Sequence, residues 1–402
     1  MVEQSFRNGP LSDLRVIEMG TLLAGPFCGQ LLGDLGAEVI KVEPPGQGDP
    51  MRVWGRQKQG EPSLWWPVVG RNKKAITLDL RQGEGQQLLK ELAAKCDFLI
   101  ENFRPGTLEK WGLGWEQLSA VNPRLIMVRV SGYGQTGPYA RRAGFGAIGE
   151  AMGGLRYVVG DPTTPPSRVG ISIGDSLAAT FACIGALSAL NYRERTGRGQ
   201  VIDSAIYEAV LGMMESLVTD YDQTGYIRER TGAILPNVAP SNVYPTRDGL
   251  VLIAANQDTV FRRLCEAMGR DELAFDARYD SHQSRGTNQK ELDEMLGRWT
   301  ASQTTREILE LMDRQGVPAG QIYRAPDMLE DPHFIAREAI VTVDHPQFGE
   351  LRMQNVAPRL SETPGGIRAP SPALGEHNDA IYLEFLGMPR ERYERLKTAK
   401  VI

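Results

Sequence analysis

The sequence predicts an α/β protein, with a parallel sheet covered by helices in a large domain made from both chain ends and a smaller α+β domain between them. Three observations predict it. Short apolar runs alternate with helix-period segments through roughly the first 130 residues, Gly- and Pro-rich loops follow those runs, and the pattern changes after about residue 225.

Leu14–Met19 reads as a strand, Gly25–Leu35 as a helix and Glu38–Glu43 as a second strand, which is a βαβ unit. Ala75–Leu80 is the next strand. Gly85–Lys95 carries Leu88, Leu89, Leu92 and Ala93 at helical spacing, and Phe98–Ile100 and Leu125–Val130 are further strands. Such alternation gives a parallel sheet buried on both faces. The loops TLLAGP, PPGQGDP, ENFRPG and SGYGQTGP each follow one of these strands. Ligands of open α/β sheets bind beyond the carboxyl ends of the strands, so the loops predict one shared cleft.

The uncharged run Ser176–Tyr192 is shorter than the roughly 20 apolar residues that span a bilayer, and reads as a buried helix. Gly197 stops it, and Arg193, Arg195 and Arg198 complement its C-terminal end. Val201–Val218 reads as an apolar helix, followed by an irregular segment through Thr246. The domain limits expected are 1–225, then 226–325, then 326–402 returning to the large domain. The middle part holds one strand, Leu250–Ala255, and helices near Asp258–Met268, Gln289–Trp299 and Thr305–Gln315. A hairpin around HPQFGE, a Pro-rich stretch and a helix over Ala380–Leu386 close the chain.

A chain of 402 residues with 41% apolar and 24% charged side chains is globular and long enough for two or three domains. Its 45 basic and 50 acidic residues are interspersed, for a net charge of −5, which excludes a broad cationic face for nucleic acid. Four cysteines lie far apart without CxxC spacing, which predicts reduced thiols, no zinc or other metal site, and a cytoplasmic protein. The opening MVEQSFRNGPLSDL has neither the apolar core of a secretory signal nor a transit peptide's character, so export is not expected.

Three chemistries compete. Gly170-Ile171-Ser172-Ile173-Gly174 is a literal G-x-S-x-G before a helix, as a serine hydrolase elbow requires. Pro165 and Pro166 compromise the strand that should precede it, and no HGGG-type segment lies upstream. Asp175 stands at the same helix mouth. It reads first as an N-cap; its functional reading is an exposed carboxylate, kept ionised by the helix dipole, that attacks an activated acyl group, and the two readings are compatible. Arg71, Lys73, Lys74, Arg81, Arg104 and Lys110 lie near the expected cleft and suit a polyanion. GxxxxGK[ST] is absent and Gly20 to Gly29 is spaced wrongly for GxGxxG, so a Rossmann-like sheet here points to a nucleotide ligand other than ATP or NAD.

At these residues the sequence resembles the class III CoA-transferases, the CaiB/BaiF family. The resemblance rests on LLAGPFCGQLLGDLGAEVIKVEPPGQGDPMRVWG, RNKKAITLDL, ENFRPGTLEKWGLGW, SGYGQTGPYARRAG, GDS, RTGRGQ, GVPAGQIY and LGEHND, in the family's order from Leu11 to about Leu386. It implies a nucleophilic Asp175 that forms aspartyl anhydride and aspartyl-CoA thioester intermediates. It implies CoA contacts at Leu23 and Ala24, at Leu78, Asp79, Leu80 and Arg81, at Asn102, Phe103 and Arg104, and at Lys110. Arg81, Arg104 and Lys110 would meet the phosphates. It also implies an interlocked homodimer of ring-like chains, with no permanently bound cofactor and a CoA thioester as substrate.

The chain looks closest to the succinyl-CoA:dicarboxylate, glutarate-type members, because RNKK, SGYGQTGPYARRAG and Arg168 shortly before Asp175 resemble that group. Arg168, Arg141 or Arg142 would then hold the acceptor's distal carboxylate. Two departures stand out: Pro44 replaces an arginine of formyl-CoA transferase, and that enzyme's glycine-rich lid segment has no counterpart between Tyr226 and Tyr244. The family also includes α-methylacyl-CoA racemases, which place a histidine after the Arg-Ala-Gly element. That position is Phe145 here, and no histidine precedes His282, so the His/Asp proton-exchange pair is missing. The partners expected are an acyl-CoA and a free carboxylic acid, with neither nucleic acid nor membrane.

Overall fold

Six parallel strands form the central sheet of the computed structural model, which describes residues 9–55 and 63–402. They are β1 (Arg15–Glu18), β2 (Glu38–Glu43), β3 (Lys73–Thr77), β4 (Phe98–Glu101), β5 (Ile126–Ser131) and β6 (Val201–Ala205), in the order β3-β2-β1-β4-β5-β6. Every neighbouring pair is parallel. The strand order reverses between β1 and β4, the switch point where such sheets open a crevice. Val16, Ile17, Val39, Ile40, Phe98 and Leu99 are buried, as strands covered on both faces require.

The helices up to Thr224 are α1 (Ala24–Asp34), α2 (Trp65–Val69), α3 (Gly83–Ala93), α4 (Thr107–Lys110), α5 (Trp115–Val121), α6 (Gly146–Met152), α7 (Leu155–Val158), α8 (Ile173–Thr196), α9 (Ile206–Leu211) and α10 (Leu217–Thr224). By length and composition α8 could cross a membrane. Its Ala178, Ala179, Ala182, Cys183, Ala186 and Ala189 are buried and face α1, β5 and β6, the packing of a core helix. Small side chains let it lie close to the sheet.

Two elements of the large unit differ from the sequence reading. The segment expected as a helix from Val201 begins as β6, which pairs with β5 from Met127↔Val201 to Ser131↔Ala205. Gly197, at φ 73°, ends α8 in the left-handed conformation, and the β-branched Val201 and Ile202 then satisfy the open edge of β5. Strand β3 begins at Lys73 and ends at Thr77, because Leu78 still donates to the Glu43 carbonyl (2.8 Å) whereas Asp79 turns away to that of Val401 (2.7 Å).

Contacts divide the chain into two compact units. The large one takes the chain up to Leu155, Val169–Thr224 and Ala336–Ile402; the small one takes Arg156–Arg168 and Gly225–Ile335. The small unit carries an antiparallel sheet of β7 (Ser241–Pro245), β8 (Leu250–Ala254) and β9 (Ala319–Gln321). Against it pack α13 (Gln289–Thr300) and α14 (Thr305–Gln315), with α11 (Asp258–Met268) on α14 and α12 (His282–Thr287) on α13, around Val251, Ile253, Phe261, Leu264 and Leu296. Strand β7 lies in the segment read as irregular; Pro240 and Pro245 at its borders hid it.

After α15 (Ala325–Glu330) and α16 (Pro332–Ala336) comes the expected hairpin, β10 (Ile340–His345) with β11 (Gly349–Gln354). Ala380–Phe385 forms a π-helix and α17 (Arg390–Thr398) follows. Ile381, Tyr382, Tyr393, Leu396 and Val401 join Leu88, Leu92, Ile76 and Leu99 in one core, so both chain ends build the large unit.

Candidate active site

At the switch point the loops after β1 and β4 are laced together. The Thr21 amide donates to Asn102 Oδ1 (2.8 Å), and Asn102 Nδ2 donates back to the Thr21 carbonyl (2.9 Å). The Asn102 amide, expected as a CoA contact, is therefore committed to the loop of Leu23 and Ala24. Leu23 caps α1, and the buried Ala24 begins it. Next to Asn102, the Phe103 ring packs edge-on against Trp111 at 5.6 Å, and its amide donates to Glu101 Oε2 (2.7 Å). Glu101 also accepts from Arg129 Nε (2.7 Å), whose Nη1 reaches Glu109 (2.7 Å). Burial pushes the Glu101 carboxyl up to about 7 in spite of Arg129. Arg104 and Lys110 are exposed on this loop and on α4.

The cations divide in a way the sequence did not reveal. Arg71 is buried on Asp34 (Nη2 to Oδ2, 2.6 Å) and on the Gln354 carbonyl (2.7 Å). Lys73 is buried on Glu18 (2.9 Å), and Lys74 pairs with Glu38 (2.6 Å). These three hold the sheet and the C-terminal segment together, so they leave the polyanion set. Leu78 and Leu80 are buried in the core. Asp79 grips the exposed Arg81 through two bonds, Nε to Oδ1 (2.8 Å) and Nη2 to Oδ2 (3.0 Å), and the Arg81 hydrogen bonds hold the Asp79 carboxyl down to about 2. Arg81, Arg104 and Lys110 remain as exposed cations.

Asp175 is the third residue of α8; the N-cap is Ser172, which corrects the capping reading of Asp175. The Asp175 carboxylate is half-buried and lies against Gly146, the first residue of α6, where an added Cβ would stand 2.8 Å from its Cγ. Gly146, Gly149 and Gly153 form one face of α6. Cβ atoms there would meet the Asp175 carboxylate, Ile206 Cβ (2.9 Å) and the Tyr207 carbonyl (2.7 Å) in turn. This stripe lets α6 lie against α8 and α9 and brings its first turn to Asp175. One turn on, Glu150 is fully buried, and its Oε1 accepts from the Gly174 amide at 3.4 Å. Neither Gly146 nor Glu150 was anticipated; the spacing of GFGAIGEAMGG carried the signal.

Phe145 precedes Gly146 and is 68% exposed, so its side chain is available to a ligand. The turn that presents it is closed by Gly132 against Gly144, where a Cβ would stand 3.0 Å from the neighbouring Cα. Arg142 covers the Tyr139 ring at 3.8 Å. Arg168 is exposed and belongs to the small unit.

The hydrolase geometry is missing. Among the described residues, none from 132 to 172 forms a strand, so Ser172 sits on no strand-to-helix elbow. His345 pairs with Ser371 (2.9 Å), and His282 with the Asn256 carbonyl (3.1 Å). All four cysteines are free and buried.

The model of CoA-transferase family III matches residues 11–378. The chain is 60% identical to the succinyl-CoA–D-citramalate CoA-transferase of Chloroflexus aurantiacus, over 98% of each. It is 44% identical to the beta subunit of that organism's succinyl-CoA–L-malate CoA-transferase, again over 98% of each. A solved CaiB/BaiF family protein from Brucella suis superposes with a TM-score of 0.82 at 37% identity, covering 94% of this chain and 99% of that one. The switch-point loops, the aspartate at a helix mouth and these likenesses agree: the chain belongs to CoA-transferase family III and is a CoA-transferase.

Proposed function

We propose that the enzyme moves CoA from succinyl-CoA to a dicarboxylic acid, with Asp175 as the nucleophile. An Asp175 oxygen attacks the thioester carbonyl and expels the CoA thiolate, leaving a mixed anhydride. The thiolate attacks the aspartyl carbonyl and expels succinate, leaving an aspartyl-CoA thioester. The acceptor carboxylate displaces the thiolate to form a second anhydride. The thiolate then takes the acceptor's acyl group and frees Asp175. Each bond formed matches one broken, so no ATP is needed, and exclusion of water protects both anhydrides.

The observation that carries this reading is the placement of the Asp175 carboxylate, half-buried in the first turn of α8 and pressed on a residue without a side chain. Arg81, Arg104 and Lys110 suit the CoA phosphates, and Arg168, Arg141 or Arg142 suits the acceptor's distal carboxylate. The names of the 60% and 44% identical relatives support a 2-hydroxylated C4 or C5 acceptor, such as D-citramalate or L-malate, over glutarate. The same reading carries an interlocked homodimer, supported by exposed apolar side chains at Phe181, Ile184, Leu211 and Met213. Light scattering at the mass of two chains is expected.

Incubation with succinyl-CoA and a panel of acids, read by mass spectrometry, should yield new acyl-CoAs. Asp175→Asn should lower that turnover by at least 10³-fold. Near-full activity in this variant, or a hydroxylamine adduct at another residue during turnover, would refute the assignment.

A further inference from the structure

We infer that Asp49 and Lys41, neither of which faces the cleft, are positioning residues that fix the backbone of Gly20–Leu22 for CoA; the inference rests on the reading of the Leu23–Ala24 loop as a CoA contact. Three consecutive residues of this loop are pinned by three different side chains. Lys41 Nζ donates to the Gly20 carbonyl, Asn102 pairs with both backbone groups of Thr21, and Asp49 Oδ1 accepts from the Leu22 amide (3.0 Å). Leu22 needs such restraint, since its φ of 63° lies in the left-handed region that a leucine rarely adopts.

The groups behind the loop form a closed circuit. Lys41 uses its three donors on Gly20, on Glu18 Oε1 (3.1 Å) and on Asp49 Oδ2 (2.7 Å). The second Glu18 oxygen takes Lys73 (2.9 Å), which also donates to the Pro26 carbonyl in α1 (2.6 Å). Asp49 Oδ1 also accepts from Met51 N (2.9 Å), and the Asp49 amide donates to Glu43 (2.7 Å). Met51, Trp66 and Val69 then receive the side chains of Leu22 and Leu23. Glu18, Lys41, Asp49 and Lys73 are all at most 1% exposed. Buried ion pairs are poor devices for stability alone, because desolvation offsets their attraction. This one converges on a single strained turn at the ligand-binding edge of the sheet.

The buried Asp34–Arg71–Asn72 cluster is the internal control. It reaches Gln354, Gly366 and Arg368 and touches no part of the loop. Asp49→Asn and Asp34→Asn should therefore both lower the melting temperature, while only Asp49→Asn speeds amide exchange in residues 20–24 and weakens CoA binding by at least 10-fold in calorimetry on the folded protein. Lys41→Met should do the same; Asp49→Glu should restore part of the affinity.

Affinity within twofold of wild type in Asp49→Asn, or an equal loss in Asp34→Asn, would overturn the inference. If wild type itself binds no CoA, the reading of the loop falls and the inference with it, whatever amide exchange reports.

Discussion

The Asp175 carboxylate rests on the Cα of Gly146, close enough that a methyl group on residue 146 would stand 2.8 Å from its Cγ. The obstructing atoms are the end of a side chain, which can rotate away. Gly146→Ala should therefore turn the Asp175 carboxylate aside, lowering kcat/KM by about 10²-fold, with the melting temperature close to wild type. At Gly153 the obstruction is the Tyr207 backbone carbonyl at 2.7 Å, which cannot move alone. Gly153→Ala should lower the melting temperature instead. Paired kinetics and thermal melts separate the two, and a Gly146→Ala enzyme of normal activity would remove Gly146 from the site.

Glu101 supplies a pH signature. Burial is the largest cause of its displacement, and it raises the folded-state carboxyl to about 7 from an ordinary 4.5. The folded state thus binds this proton more tightly than the unfolded chain. The stabilising contribution is fully present below about 4.5 and is lost as pH rises through about 7. Urea titrations from pH 5 to 8 should show the wild type losing stability relative to Glu101→Gln as pH rises. A difference that is flat over this range would contradict it.

The two kinds of cation should fail differently. Arg71 is buried on Asp34, so Arg71→Met should cost about 3–5 kcal/mol in denaturant unfolding, because it leaves a carboxylate uncompensated. The KM of the remaining folded enzyme should be unchanged. Exposed Arg104 and Lys110 should show the converse on truncation to alanine: a several-fold higher KM for acyl-CoA, weaker still at high salt, with stability unaffected. A Lys110→Ala enzyme with unaltered KM would take that residue out of the phosphate set.

How much of this was legible follows from range. Strands β1, β2 and β4 and the limits of α11 and α14 could be read from local period and caps, and Asp175 and the loops from motif content. The division of the cations could not, since Arg71 and Arg81 look alike until Asp34 and Gln354, far away in sequence, are seen to bury one of them. Strand β6 escaped because five residues at the edge of a sheet resemble the start of an apolar helix, and only the unpaired edge of β5 decides between them. Leu22 gave no local sign at all. Its left-handed backbone is imposed by Asp49 and Asn102, which nothing in the sequence places beside it.

Glu150 tests whether the first turn of α8 is held from below. It is four residues beyond Gly146 on α6, fully buried, with Oε1 3.4 Å from the Gly174 amide, so one turn of α6 touches Asp175 and the next accepts from the residue before it. If accepting that hydrogen bond is the role, Glu150→Gln should keep activity within a few-fold, because its carbonyl oxygen accepts in the same place. Glu150→Ala should open a cavity and leave the buried Gly174 amide unsatisfied, lowering stability by about 1–3 kcal/mol and kcat by at least 10-fold. The comparison of kcat between the two variants, each measured well below its melting temperature, is the measurement. Equal losses in both would mean that the negative charge, and not the acceptor oxygen, is what Asp175 needs beneath it.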